Sequence, residues 1–144
     1  MESHALLGPA AVLVLWSLLV LTWMVITRFK AFGEKGVSLA EAPVGNRYVD
    51  VEPDMPARVN WVSHNYTHLM EQPTIFYAVI AVLVLAGDSS GLSVMLAWGY
   101  TGIRIAHSLW QIFSNVILVR VILFTLSTFC LLGLAINAVR LTVL

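Results

Sequence analysis

Charge is scarce in this chain. Only 11% of its 144 residues are charged, and eight Lys and Arg balance eight Asp and Glu. Without a basic excess there is no electrostatic footprint for nucleic acid, and without an acidic one there is none for a basic partner. Cysteine is nearly absent as well. The lone Cys130 excludes an intrachain disulfide framework and, set in an apolar run, reads as a small hydrophobe. What remains is apolar: 59% of residues are hydrophobic and the mean hydropathy is +0.85. That balance assigns the chain to the all-α integral membrane class rather than to water-soluble domains.

The uninterrupted run from Leu6 to Thr27 has about 22 residues, enough to cross a core of about 30 Å as a helix. No Lys or Arg precedes it and no small-residue cleavage site ends it, so it reads as a retained span rather than a signal peptide. The next apolar run, Pro73 to Ala86, is too short to cross alone. It is extended backwards by a breaker-free stretch from Arg58. There Asn60, His64, His68 and Glu71 fall at helical spacing on one face, and Pro73 either kinks the helix or is tolerated through neighbouring groups. Gly87-Asp88-Ser89-Ser90-Gly91 marks a tight turn, and Ser114-Asn115 a second break. The expected organisation is one domain over residues 1–144, a four-helix transmembrane bundle with spans near 6–27, 58–86, 92–113 and 116–138.

Arg28, Lys30, Lys35, Arg47 and Arg58 all lie in or beside the first loop, about 29–57. The positive-inside rule places that loop in the cytoplasm and both termini on the opposite side. With Pro43, Pro53 and Pro56, the loop is not one continuous helix; it either caps a polar site or is a solvated linker. Glu71, counted back from Ala86 at 1.5 Å per residue, sits roughly 8 Å inside the cytoplasmic boundary. His64 and His68 precede it, Arg104 and His107 end the third span, and Arg120 begins the fourth. Ionisable groups in lipid persist only where they face a bundle interior or a wet cavity, so these six residues from three segments define the candidate site.

Plainer assignments compete for the same residues. Glu71 and Arg120 suffice for an interhelical ion pair, and Glu71 or a backbone carbonyl suffices to satisfy Arg104. Tyr100 and Gln111 read as inward polar groups that hydrogen-bond between helices. His64, His68, Glu71 and His107 include metal-ligand types, and His68 with His107 has the makings of a haem pair. The flanking Arg104 and Arg120 would repel a cation, so no metal is assigned. The Asn65-Tyr66-Thr67 sequon falls at the cytoplasmic membrane edge, where glycosylation is not expected.

The run His64-Asn65-Tyr66-Thr67-His68-Leu69-Met70-Glu71-Gln72-Pro73, followed by Thr74-Ile75-Phe76, is joined by Arg104-Ile105-Ala106-His107 and then Arg120. In joint spacing and in its long first loop the chain resembles the membrane-associated proteins in eicosanoid and glutathione metabolism, the MAPEG family. The resemblance implies a homotrimer with sites between subunits. There glutathione is bound as co-substrate, activated as a thiolate, and conjugated to lipophilic electrophiles or used to reduce lipid hydroperoxides. It further implies that Arg120 is the catalytic, thiolate-stabilising residue, that Glu71 holds the glutathione amino group and that His107 lines the pocket. His64, His68 and Arg104 complete the implied glutathione-binding set.

The chain also departs from the family pattern. His64, Thr67 and His68 stand where the second span usually carries arginines and an asparagine. Gln111 and Phe124 stand where tyrosines are expected. A second function therefore stays open: a non-catalytic member of the same fold that binds a lipid or a partner protein. A transporter has little support, because the four spans show no internal repeat.

Overall fold

The computed structural model describes residues 2–144 and is built of helices. A 3-10 turn, Glu2–Leu6, leads into α1, Leu7–Lys35. The connection that follows carries the short α2, Tyr48–Val51, and a 3-10 turn, Glu52–Asp54. Then come α3, Ala57–Leu85, α4, Gly91–Phe113, and α5, Ile117–Thr142.

Helix α1 does not stop where its apolar run ends at Thr27; it continues to Lys35. Gly36, at φ +68°, ends it. The N–H of Val37 returns to the carbonyl of Phe32 at 2.9 Å, a closure that needs a left-handed residue and so favours glycine. The first connection is accordingly 36–56, shorter than the expected 29–57. Pro73 leaves α3 unbroken from Ala57 to Leu85. A proline there removes one N–H from the ladder, and side chains serve the carbonyls around it. Arg104 donates to the His68 carbonyl at 2.8 Å, and the Thr74 hydroxyl to that of Glu71 at 2.6 Å.

The core lies where the four long helices meet. Leu13 and Val20 of α1, Leu69, Phe76 and Ile80 of α3, Ala97 and Tyr100 of α4, and Leu131 and Leu134 of α5 are all buried. Phe76 and Tyr100 stack with ring centroids 4.3 Å apart. Helix α4 packs most extensively on α5, and α1 on α3. The α4–α5 approach is close because Gly99 faces Cys130 and Gly133 faces Leu96; a Cβ on Gly133 would sit 3.0 Å from Leu96 Cδ1. Small residues of this kind let helices pack tightly where lipid supplies no hydrophobic drive. Outward, Leu15, Leu18, Leu19 and Ile26 of α1 and Ile117, Leu118, Phe129 and Ile136 of α5 are exposed. A surface this apolar matches hydrocarbon, not water.

Three stretches are long and apolar enough to cross a membrane: His4–Lys35, Ala57–Leu85 and Ile117–Thr142. Helix α4 is not among these three, although it has 23 residues. Its buried face carries Ser93, Tyr100, Thr101, Arg104, His107, Ser108 and Gln111, which lower its hydropathy while packing against the other helices.

Candidate functional site

A cavity of about 450 Å³ opens beside α3, α4 and α5, lined by His68, Glu71, Arg104, His107, Ile117, Arg120, Val121 and Phe124. Five of the six ionisable residues picked out from the sequence thus share one space. They come together for three local reasons. The regular helix of α3 puts His68 and Glu71 on adjoining turns of one face. In α4, Arg104 and His107 are likewise one turn apart and are both buried. The chain then reverses at Asn115 (φ 54°), the only non-glycine at positive φ among the described residues, and α5 begins two residues later. Asparagine tolerates that conformation. Its Oδ1 also accepts from Arg120 Nη1 at 2.8 Å, so the turn residue aims the arginine.

His64 is the exception. Its ring turns away to Glu52 in the first connection, with which it forms an ion pair when protonated. Asn60 behaves similarly, accepting from Tyr48 at 2.7 Å and donating to the Glu52 carbonyl at 2.9 Å. The first half of the α3 stripe therefore docks the connection, and only the second half faces the cavity. No residue of the connection lines the cavity. Instead the connection folds onto the end of α1, where Tyr48 lies beneath Arg28.

Arg104 is only 1% exposed. Its Nη2 takes the His68 carbonyl, and its guanidinium stands 5.8 Å from the Phe124 ring centroid. Its Nε and Nη1 are buried with no hydrogen-bond partner, as is Arg120 Nε. A buried, unpaired donor on a charged group costs about 1–3 kcal/mol or more, so two cavity-lining arginines that carry three such donors between them create a demand for an anion. Glu71 is the one carboxylate on the walls, and it is exposed. Among the described residues, the ion pairs within 4.0 Å are Lys30 with Glu34 and His64 with Glu52. The interhelical Glu71–Arg120 pair is therefore not formed, and a backbone carbonyl, not Glu71, satisfies part of Arg104.

The histidine rings of His68 and His107 lie 6.1 Å apart, and His68 Nδ1 pairs with Gln111 Oε1 at 3.0 Å. Among the described residues, no group of three or more His, Cys, Asp or Glu side chains is arranged to hold a metal ion. Tyr100 and Gln111 do bond across helices: Tyr100 donates to Gln72 at 3.3 Å, and Gln72 in turn to Thr128 at 2.9 Å. Asn65 is 1% exposed and donates to Ser108 at 2.7 Å, so its amide is engaged between α3 and α4.

Sequence reasoning missed Ile117 and Val121 as cavity walls and Asn115 as the partner of Arg120. Helical spacing was a usable signal for the first two, since Ile117, Arg120, Val121 and Phe124 recur at intervals of three and four. Nothing in the sequence marked Asn115 as more than a turn residue.

Comparison with curated proteins finds no significant match, and comparison with solved structures finds none either. The sequence model of the MAPEG family matches residues 6–140, nearly the whole chain. With apolar membrane-length helices and this match together, the chain is an integral membrane protein belonging to the MAPEG family.

Proposed function

We propose that this protein is a glutathione-dependent transferase or peroxidase acting on lipophilic electrophiles or lipid hydroperoxides, with the cavity at Arg120 as its active site. The observation that carries the reading is the set of buried, unpartnered guanidinium donors of Arg104 and Arg120 beside the lone carboxylate Glu71. Glutathione is an anion with one ammonium group, so it complements two cations and one acid. A volume of about 450 Å³ is in the range of small-molecule sites.

In this reading Arg120 stands beside the sulfur and favours the thiolate over the thiol. Glu71 receives the amino group, and His68 and His107 line the remaining wall. His64 is relieved of a direct role, because its ring faces Glu52. The thiol proton leaves to water. The thiolate then forms an S–C bond to an electrophile delivered laterally from the bilayer as its leaving group departs, or takes the terminal oxygen of a hydroperoxide, whose remainder leaves as the alcohol. In the second case another glutathione converts the sulfenic acid to disulfide and water. The cavity is open on the protomer, with Glu71 and Phe124 exposed, which favours a homotrimer whose neighbouring subunit closes it. The same reading takes α4 as a fourth span, shielded by its neighbours, with the first connection in the cytoplasm and the termini opposite.

Calorimetric titration of glutathione into the detergent-purified oligomer tests this, with Arg120→Ala alongside. Saturable binding weakened at least tenfold by Arg120→Ala supports the proposal; absent binding to a folded oligomer overturns it. A second reading, a non-catalytic lipid- or partner-binding member, is favoured by one observation. Phe124, which has no hydroxyl, forms the cavity wall beside Arg104 and Arg120. Absent glutathione binding together with co-purifying lipid would establish it.

A further inference from the structure

A second cavity, of about 530 Å³, lies between the C-terminal end of α1 and the first connection, away from the site just described. Its apolar walls include Val25, Phe29, Phe32, Val37 and Leu39. Phe29 meets Phe32 edge-on at 6.4 Å, and Phe32 meets Tyr48 at 6.3 Å, so one wall is aromatic. Val25 is 40% exposed and Phe29 58% exposed, on a helix whose outer face is otherwise lipid-like. The cavity thus adjoins the lipid-like outer face of α1.

Its polar element is a fixed cation. Arg28 Nε donates to Ser63 at 2.9 Å, and the guanidinium carbon stacks 3.6 Å from the centroid of the Tyr48 ring. Those two contacts hold the fork in place while, among the described residues, no hydrogen bond engages Nη1 or Nη2. At the rim Arg47 and Glu41 are both exposed and offset each other, which leaves Arg28 as the uncompensated charge. A guanidinium with two open, parallel donors matches a carboxylate. The adjoining apolar cleft matches an acyl chain rather than a polar tail.

The geometry points to a binding site for a fatty-acid anion drawn from the leaflet, its carboxylate on Arg28 and its chain along Phe29, Phe32 and Leu39. A neutral lipid would leave the guanidinium donors unmet, and a soluble anion would leave the apolar cleft wet. The site is independent of the central cavity and of the chemistry proposed there.

The test is photolabelling of the purified protein in nonionic detergent with a palmitate analogue carrying a chain-end diazirine, followed by peptide mapping. Label is expected within residues 25–51, competed by oleate and at least tenfold less by methyl oleate. Arg28→Gln should reduce it at least fivefold. The Phe29→Ser/Leu39→Ser pair, which changes exposed positions, should reduce it similarly without loss of the oligomer. Arg120→Ala should leave it in place. Label confined to the central cavity, equal competition by the methyl ester, or indifference to both sets of substitutions overturns the proposal.

Discussion

Arg104 of α4 donates to the main-chain carbonyl of His68 on α3 at 2.8 Å, just ahead of Pro73. One side chain thereby serves a proline-containing helix and the wall of the cavity. Its Nε and Nη1 remain unpaired and buried there. Arg104 and Arg120 are thus not equivalent: the first is built into the bundle, and the second is held at its edge by Asn115.

This difference predicts opposite mutational signatures. Arg104→Ala removes a buried side chain and its carbonyl contact but also relieves two unpaired donors, so the net cost should be about 1–2 kcal/mol of stability, read as a fall in Tm of the detergent-solubilised protein. Arg120→Ala, at a half-buried position, should move Tm little and act on ligand binding instead. Equal losses of Tm in both would contradict the assignment.

His64 and His68 are one turn apart but face different partners, Glu52 and Gln111. If the central cavity takes glutathione, His68→Ala should weaken it severalfold, whereas His64→Ala should leave affinity within about twofold. The His64–Glu52 contact is solvent-accessible, and pairs of that kind contribute about 0–1 kcal/mol. Calorimetric titration of the two variants separates these outcomes.

Phe124 lines the cavity and is partly exposed to it, so Phe124→Tyr adds a hydroxyl without repacking the core. One new hydrogen bond is worth about 0.5–1.5 kcal/mol, or roughly two- to tenfold in affinity. Tighter glutathione binding in Phe124→Tyr is the expected result; weaker binding would show that this wall does not face the ligand.

At the other end of the bundle, Asp88 is buried in the α3–α4 turn, outside the spans. Burial raises its carboxyl, but hydrogen bonds from Ser93, Ser90 and Asn137 outweigh that and hold it below the usual carboxylate range. Its Oδ2 accepts from Asn137 of α5 at 2.9 Å, and its Oδ1 from the Ser90 N–H at 2.9 Å. A depressed folded-state value gives stability that is complete above the unfolded value, near 3.9, and lost as pH falls through the folded one. Asp88→Asn should lower Tm at pH 7 and flatten its fall on acidification below about pH 4. An unchanged acid limb would exclude Asp88 as its source.

A Cβ on Gly133 would meet Leu96 Cδ1 at 3.0 Å, so for Gly133→Val either the Leu96 side chain or the α4–α5 contact must give. Overpacking of this kind costs about 1–3 kcal/mol, measurable as a lower Tm or as dissociation in detergent. An unchanged Tm would mean that the two helices yield without cost.

The apolar runs, the turn at Gly87–Gly91 and the polar residues at helical spacing were legible from the chain because each is a local property. Hydropathy and a period of 3.6 residues require no knowledge of neighbours. All six candidate residues were picked out in the same way, since an ionisable group on an apolar helix must be hidden in some interior, and five of them line one cavity.

Which interior was not local. Whether Glu71 pairs with Arg120, which groups satisfy Arg104, and that His64 leaves the stripe for Glu52 were decided by side chains far apart in sequence. Spacing constrains the face of one helix, not the rotation of the next against it. The extension of α1 to Lys35 and the unbroken passage of α3 through Pro73 were likewise tertiary outcomes: packing and side-chain donors overrode local signals. Amino-acid order alone determined a lipid-embedded helical protein with buried charges to conceal. Only the folded arrangement decided that two arginines would share a cavity with donors left unmet, because hydrogen-bond satisfaction depends on every helix at once.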